Sequence, residues 1–277
     1  MRLLFLLLLF PPCVFAQYTT KKVIVEGKGP PVVLLAGGRW DMQSFSEPAA
    51  ALSSDHRVIR MEHFNVHYAN EGLTLPQGYS LQQESEAIGR TLDSLGIKEP
   101  VVLIGWSFGA LMAMDFALNF PTRIRQLVLY EPPAFWVAKA KGESPVGMQQ
   151  MIELSRNFTP TATITEGQLA QFRCILDSCD TTQIRKHPQW SVWAQHKNRL
   201  RGLSVVAGHT DSLVRLNDFK QPVLILTGKG TVAFHRRINQ LLAEEFPLAI
   251  AKEIAGGHSA PQAAVQEFIK AVKNFIK

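Results

Sequence analysis

One serine in this chain sits in a pattern suited to covalent chemistry. It is Ser107, within Gly105-Trp106-Ser107-Phe108-Gly109, directly after the apolar run PVVLIG and before FGALMAMDFALNF. The first segment reads as a buried strand and the second as a helix. A strand that turns at once into a helix strains the residue at the corner, and a glycine on each side lets neighbouring backbone approach. The serine oxygen then projects beyond the sheet edge at a helix N-terminus, where N–H groups favour a developing negative charge. The chemistry implied is nucleophilic attack on a carbonyl carbon.

A serine hydroxyl needs a base. Of the eight histidines, His258 has the suitable setting, in AGGHSAP between the last strand-like segment and the last helix, with Gly256 and Gly257 freeing the loop to turn back over the sheet edge. His63 and His67 fall in a loop-like segment, and no third ligand stands at an obvious spacing. They read as surface residues rather than metal ligands, and no metal or organic cofactor is expected.

The elements that must position Ser107 and His258 alternate. Strands are expected over 21–27, 31–38, 56–62, 100–105, 124–131, 222–228 and 248–255. Helices are expected over 46–54, 80–96 (with Ser80 as N-cap), 108–120, 234–246 and 261–276. This rhythm implies an α/β fold, a mostly parallel sheet with helices on both faces. From 134 to 216 the alternation breaks into helix-like segments, which read as a cap inserted over one sheet edge. The expected division is a signal peptide over 1–16, a first core part over 17–133, the helical cap over 134–216 and a second core part over 217–277.

Composition sets further bounds. Of the 277 residues, 46% are hydrophobic and 19% charged, which suits a packed core and argues against disorder. The net charge of +6 is spread along the chain without a basic run, so no nucleic-acid partner is expected. Arg2, the run LLFLLLLF and the small residues before Gln17 have the form of a secretory signal peptide cut after Ala16, with Val14 at the −3 position. That run falls short of the ~20 residues a membrane span needs. The expectation is therefore a secreted or periplasmic protein with no stable membrane span after cleavage, and with 28 basic and 23 acidic residues left. Cys174 and Cys179 would then meet in an oxidising compartment and close a small loop; two reduced, partly buried thiols are the alternative.

VVLLAGG, VVLIGWSFGAL, LVLYEPP, PVLILTG and GGHSAP, in that order, resemble the α/β-hydrolase family across nearly all of the chain after the leader. The resemblance implies Ser107 as nucleophile and His258 as general base. It also implies an oxyanion site made by the backbone N–H groups of Phe108, the residue after the nucleophile, and of Gly38. The chain departs from the family in two places. Ala36-Gly37 replaces the usual His-Gly. The strand PVLILTG continues as KGTVAF, with no Asp or Glu between Asp218 and Glu244 where family members usually carry the acid. Some relatives place the acid one strand earlier, which here is Glu131. The alternative for Glu131 is a capping role in a nearby loop, and Asp211 is the next candidate acid.

The cap carries Trp136, Met148, Met151, Phe158, Phe172, Trp190 and Trp193. Individually they read as packing, together as an apolar pocket above Ser107. Arg156, Arg185 and Arg201 read as solvent-facing. The resulting expectation is an exported serine hydrolase of small to medium hydrophobic carboxylic esters, thioesters or lactones. Carbon–carbon bond hydrolysis and perhydrolysis use the same constellation. The alternative is a ligand-binding or signalling protein that keeps the fold without turnover.

Overall fold

The computed structural model describes residues 20–277. The expected leader over 1–16 and its cut after Ala16 lie outside the described residues. Among the described residues, no helix is long and apolar enough to cross a membrane.

Seven strands form one sheet: β1 (Val23–Glu26), β2 (Pro31–Leu35), β3 (Arg57–Met61), β4 (Val101–Trp106), β5 (Ile124–Tyr130), β6 (Val223–Gly228) and β7 (Ala249–Ile254). Their order is β1-β3-β2-β4-β5-β6-β7. The first pair is antiparallel and the others are parallel. Every residue of β2, β4 and β6 is buried, which explains their unbroken apolar runs.

The two-residue period of a strand divides the core into two layers. Val33, Leu35, Leu103, Leu127 and Leu129 pack on one face with the helix Phe108–Asn119 and much of the cap. Val32, Leu34, Val102, Ile104, Val128 and Tyr130 pack on the other with Phe45, Phe268 and Val272.

Six α-helices between β5 and β6 make up the inserted block: Phe135–Ala140, Met148–Arg156, Glu166–Asp177, Trp190–Gln195, Ser204–Gly208 and Leu213–Asp218. The helix Leu81–Ser94 begins with a capping box in which Ser80 and Gln83 satisfy each other's backbone N–H groups. The final helix is interrupted at Ala264, giving Ala260–Ala263 and Val265–Phe275 where the sequence suggests one continuous helix.

Register places the chemistry. Trp106 pairs with Tyr130, and Tyr130 with Leu226. Ser107 and Glu131, which directly follow β4 and β5, and Gly228, the last residue of β6, therefore emerge side by side at the carboxyl rim of three adjacent parallel strands. Ligands bind at that edge in sheets of this kind.

Candidate active site

The corner at Ser107 has φ 54° and ψ −120°, a backbone conformation unusual for a residue with a side chain. The glycines around it are required by contact. A Cβ at Gly105 would lie 2.4 Å from the carbonyl oxygen of Gly109, and one at Gly109 would lie 2.3 Å from the carbonyl oxygens of Leu35 and Ala36. The N–H of Ser107 donates to the Tyr130 carbonyl (2.8 Å), so the strained residue is pinned to the neighbouring strand.

His258 arrives on a loop held at two points. The indole N–H of Trp106 donates to the His258 carbonyl (2.8 Å), and the Tyr130 hydroxyl donates to the Gly257 carbonyl (2.6 Å). The ring then lies between Ser107 and Glu131. Nδ1–H of His258 donates to Oε2 of Glu131 (2.7 Å), which leaves Nε2 to accept from the Ser107 hydroxyl (3.0 Å). The carboxylate fixes that tautomer. Glu131 is fully buried, with φ 47°. Its Oε1 accepts from the Gly228 N–H and its Oε2 also accepts from the Thr231 hydroxyl, both at 2.8 Å. The loop after β6, which lacks an acid of its own, thus supplies donors to the acid on β5. Asp211 pairs instead with Arg215.

Gly38 and Phe108 lie together beside Ser107: a Cβ at Gly38 would stand 3.0 Å from the Cβ of Phe108 and 2.9 Å from Cδ2 of Leu203. Neither backbone N–H is used in a hydrogen bond among the described residues.

Three side chains for which the sequence suggested no role support this region. His63 and His67, read as surface residues, are 1% and 7% exposed. The correction has a physical cause. Nε2–H of His63 donates to the Ala36 carbonyl (2.5 Å), tying down the backbone that leads to Gly38, and burial pulls His63 down to about 4, so it is neutral. Nδ2 of Asn65 donates to the Gly38 carbonyl (2.6 Å) and to the Arg199 carbonyl in the cap (2.5 Å). The third is His235, whose ring stacks on that of His258 with centroids 4.5 Å apart and planes 12° apart. Burial first, then the proximity of His258, holds His235 well below the usual histidine range. No spacing in the sequence marks it.

An apolar pocket opens on Ser107 and is lined by Phe135, Met151, Phe172, Leu176, Leu203 and Phe234 among others. Its volume is about 40 Å³, room for roughly three waters. Of the expected cap aromatics, Phe172 reaches this pocket, whereas Phe158 is core and Trp193 packs against His187 and two arginines. Arg156 and Arg185 are exposed, but Arg201 is half-buried and donates to the Leu73 and Ala162 carbonyls.

Cys174 and Cys179 are joined by a disulfide at the end of the helix Glu166–Asp177. Glu131, His235 and His258 bring metal-type ligand atoms within 4.8 Å of one another, as do Asp115, His209 and Asp211. In the first set, both ring nitrogens of His258 are already engaged by Glu131 and Ser107.

Residues 30–154 match the family model described as alpha/beta hydrolase fold. The chain is similar, at 24% identity over 91% of its length and 84% of the relative's, to a cis-3-alkyl-4-alkyloxetan-2-one decarboxylase of Shewanella oneidensis. It is 25% identical, over 94% of its length and 96% of the relative's, to a pimeloyl-[acyl-carrier protein] methyl ester esterase of Pseudoalteromonas atlantica. Among solved structures, a thermophilic esterase from Thermogutta terrifontis superposes with a TM-score of 0.70 at 18% identity, covering 92% of each chain, a likeness of fold.

Proposed function

The chain belongs to the α/β-hydrolase family, and on that premise we propose that it is a serine hydrolase that cleaves small to medium hydrophobic carboxylic esters, thioesters or lactones through an acyl-enzyme on Ser107. The observation that carries this reading is the unbroken contact chain from the Ser107 hydroxyl through both ring nitrogens of His258 to Glu131.

In this mechanism, Oγ of Ser107 attacks the substrate carbonyl while its proton passes to Nε2 of His258. The buried Glu131 carboxylate stabilises the imidazolium and holds its orientation. The N–H groups of Gly38 and Phe108 receive the oxyanion. His258 then returns the proton to the leaving oxygen or sulfur, the carbonyl re-forms, and the acyl group stays on Ser107. Water, deprotonated by His258, repeats the attack and releases the acid. The apolar pocket suits the acyl chain. We further propose export to the periplasm or medium, on the strength of the N-terminal sequence; the N-terminus of the purified native protein, expected at Gln17, tests that.

The experiment for the activity is turnover of p-nitrophenyl esters from acetate to octanoate by wild type and Ser107→Ala. Hydrolysis that disappears in the variant supports the proposal. Equal hydrolysis by both proteins removes Ser107 from the chemistry.

A further inference from the structure

A second, smaller pocket touches Ser107 on the side of His258. Its walls include Gly38, Arg39, Trp106, Arg173, His258 and Ser259. It differs in character from the apolar pocket, because two arginines are among its lining residues.

Arg39 follows Gly38 directly in the chain and is 8% exposed. Its guanidinium lies 4.1 Å from the ring centroid of Trp40 and 5.2 Å from that of Trp193 in the cap. Among the described residues no carboxylate pairs with it, and one terminal nitrogen is buried without a hydrogen-bond partner. Arg173 lies 4.6 Å from the same Trp193 ring and pairs with Asp177 (2.5 Å), while its Nε is buried and unpartnered. Two cations thus share one carboxylate, and that carboxylate serves Arg173. Burial first, then the charge of Arg173, pulls Arg39 down to about 9, so it remains a cation at neutral pH.

Stacking on indole faces offsets part of the cost of burying a guanidinium, but it leaves the in-plane N–H donors unmet. Those donors are shaped for a carboxylate or phosphate. Placement on the His258 side matters too. His258 must protonate the leaving group, so the leaving group lies beside it, while the apolar pocket takes the acyl chain.

We propose that Arg39 and Arg173 form a subsite for an anionic group, carboxylate or phosphate, carried on the leaving-group portion of the substrate. The inference rests on the serine-hydrolase reading of the neighbouring site. The substrate class is then an ester with an apolar acyl chain and an acidic alcohol portion.

The test compares three butanoyl esters: 2-(butanoyloxy)acetate, its neutral amide 2-(butanoyloxy)acetamide, and 2-(butanoyloxy)ethyl phosphate. Wild type is expected to favour the better anion over the amide by at least tenfold in kcat/KM, and the larger of the two preferences distinguishes carboxylate from phosphate. Arg39→Gln is expected to reduce that ratio at least tenfold, and Arg39→Lys to restore part of it. Arg156→Gln removes the same charge from an exposed helix and is expected to leave the ratio unchanged. Thermal melting confirms that each variant is folded. A latch that merely joined cap to core would lower turnover of all three esters together, so an unmoved ratio in Arg39→Gln, or no anion preference in wild type, overturns the proposal. If wild type cleaves none of the esters, the hydrolase reading fails separately. The subsite is then read by calorimetry with N-butanoylglycine against N-butanoylglycinamide, where equal binding, or none, overturns it.

Discussion

The carboxylate of Glu131 lies 2.7 Å from Nδ1 of His258, although 127 positions separate them in the chain. Parallel register accounts for half of that meeting, since it delivers Glu131 to the rim beside Ser107. The two anchored carbonyls of the His258 loop account for the rest. Replacing Glu131 with Gln keeps the side-chain volume but favours the wrong imidazole tautomer. We expect kcat to fall on the order of 10⁴-fold, with an unchanged far-ultraviolet circular dichroism spectrum. Steady-state kinetics on p-nitrophenyl butyrate checks this; a loss smaller than tenfold would assign the orienting role elsewhere.

The stacked ring of His235 bears on orientation without touching the reacting atoms. Because it is held neutral, it adds no second charge when His258 becomes an imidazolium. His235→Phe retains a flat ring and is expected to keep kcat within about fivefold. His235→Ala frees one face of His258 and is expected to lower kcat by about ten- to a hundredfold, the scale of loss that accompanies small misplacements of reacting groups. Measuring both variants side by side separates a stacking role from a need for the imidazole itself.

Stability depends on a different buried pair. Lys21 and Glu84 form an ion pair with both side chains fully buried, and Glu84 Oε1 also accepts from the Tyr79 hydroxyl (2.7 Å) and the Phe64 N–H (2.9 Å). Burial pushes the Lys21 ammonium below its usual range, with Glu84 opposing that push. Glu84→Ala leaves an uncompensated cation and two unmet donors, and is expected to destabilise the fold by about 3–5 kcal/mol. Urea unfolding gives the value, and a cost below about 1 kcal/mol would contradict it.

Acid should weaken the protein partly through His63. Its folded value of about 4 lies below the usual 6.5, so the unfolded chain binds the extra proton first as pH falls. Its contribution to stability is complete above pH 6.5 and is lost as pH drops from there through 4. Over that window His63→Gln is expected to reduce the slope of stability against pH by about 1.4 kcal/mol per unit. Unfolding curves at pH 7, 6, 5 and 4.5 for both proteins test this, and parallel slopes would refute it.

The strand-helix alternation made the sheet legible in the sequence, because parallel strands buried on both faces leave unbroken apolar runs. Ser107 was legible for a local reason, the glycines on either side of a forced corner. Glu131 emerged by resemblance and by the lack of an acid after β6. Its partners Thr231 and Gly228 could not be foreseen, because those contacts depend on how two loops fold back together. His63 was misread because its segment lacks a strong period, so nothing local announces a buried ring bonded to Ala36. His235 and Arg39 escaped for a similar reason. Their roles come from stacking on residues distant in the chain, and stacking leaves no spacing in the text.

The central claim is that Ser107 is the nucleophile, activated by His258. A fluorophosphonate probe with intact-protein and peptide mass spectrometry tests it most directly. The account predicts one covalent adduct per chain, located on Ser107, absent from Ser107→Ala and slowed by at least 10³-fold in His258→Ala. Stoichiometric labelling of a residue other than Ser107, or no labelling of a folded wild-type protein, would contradict it.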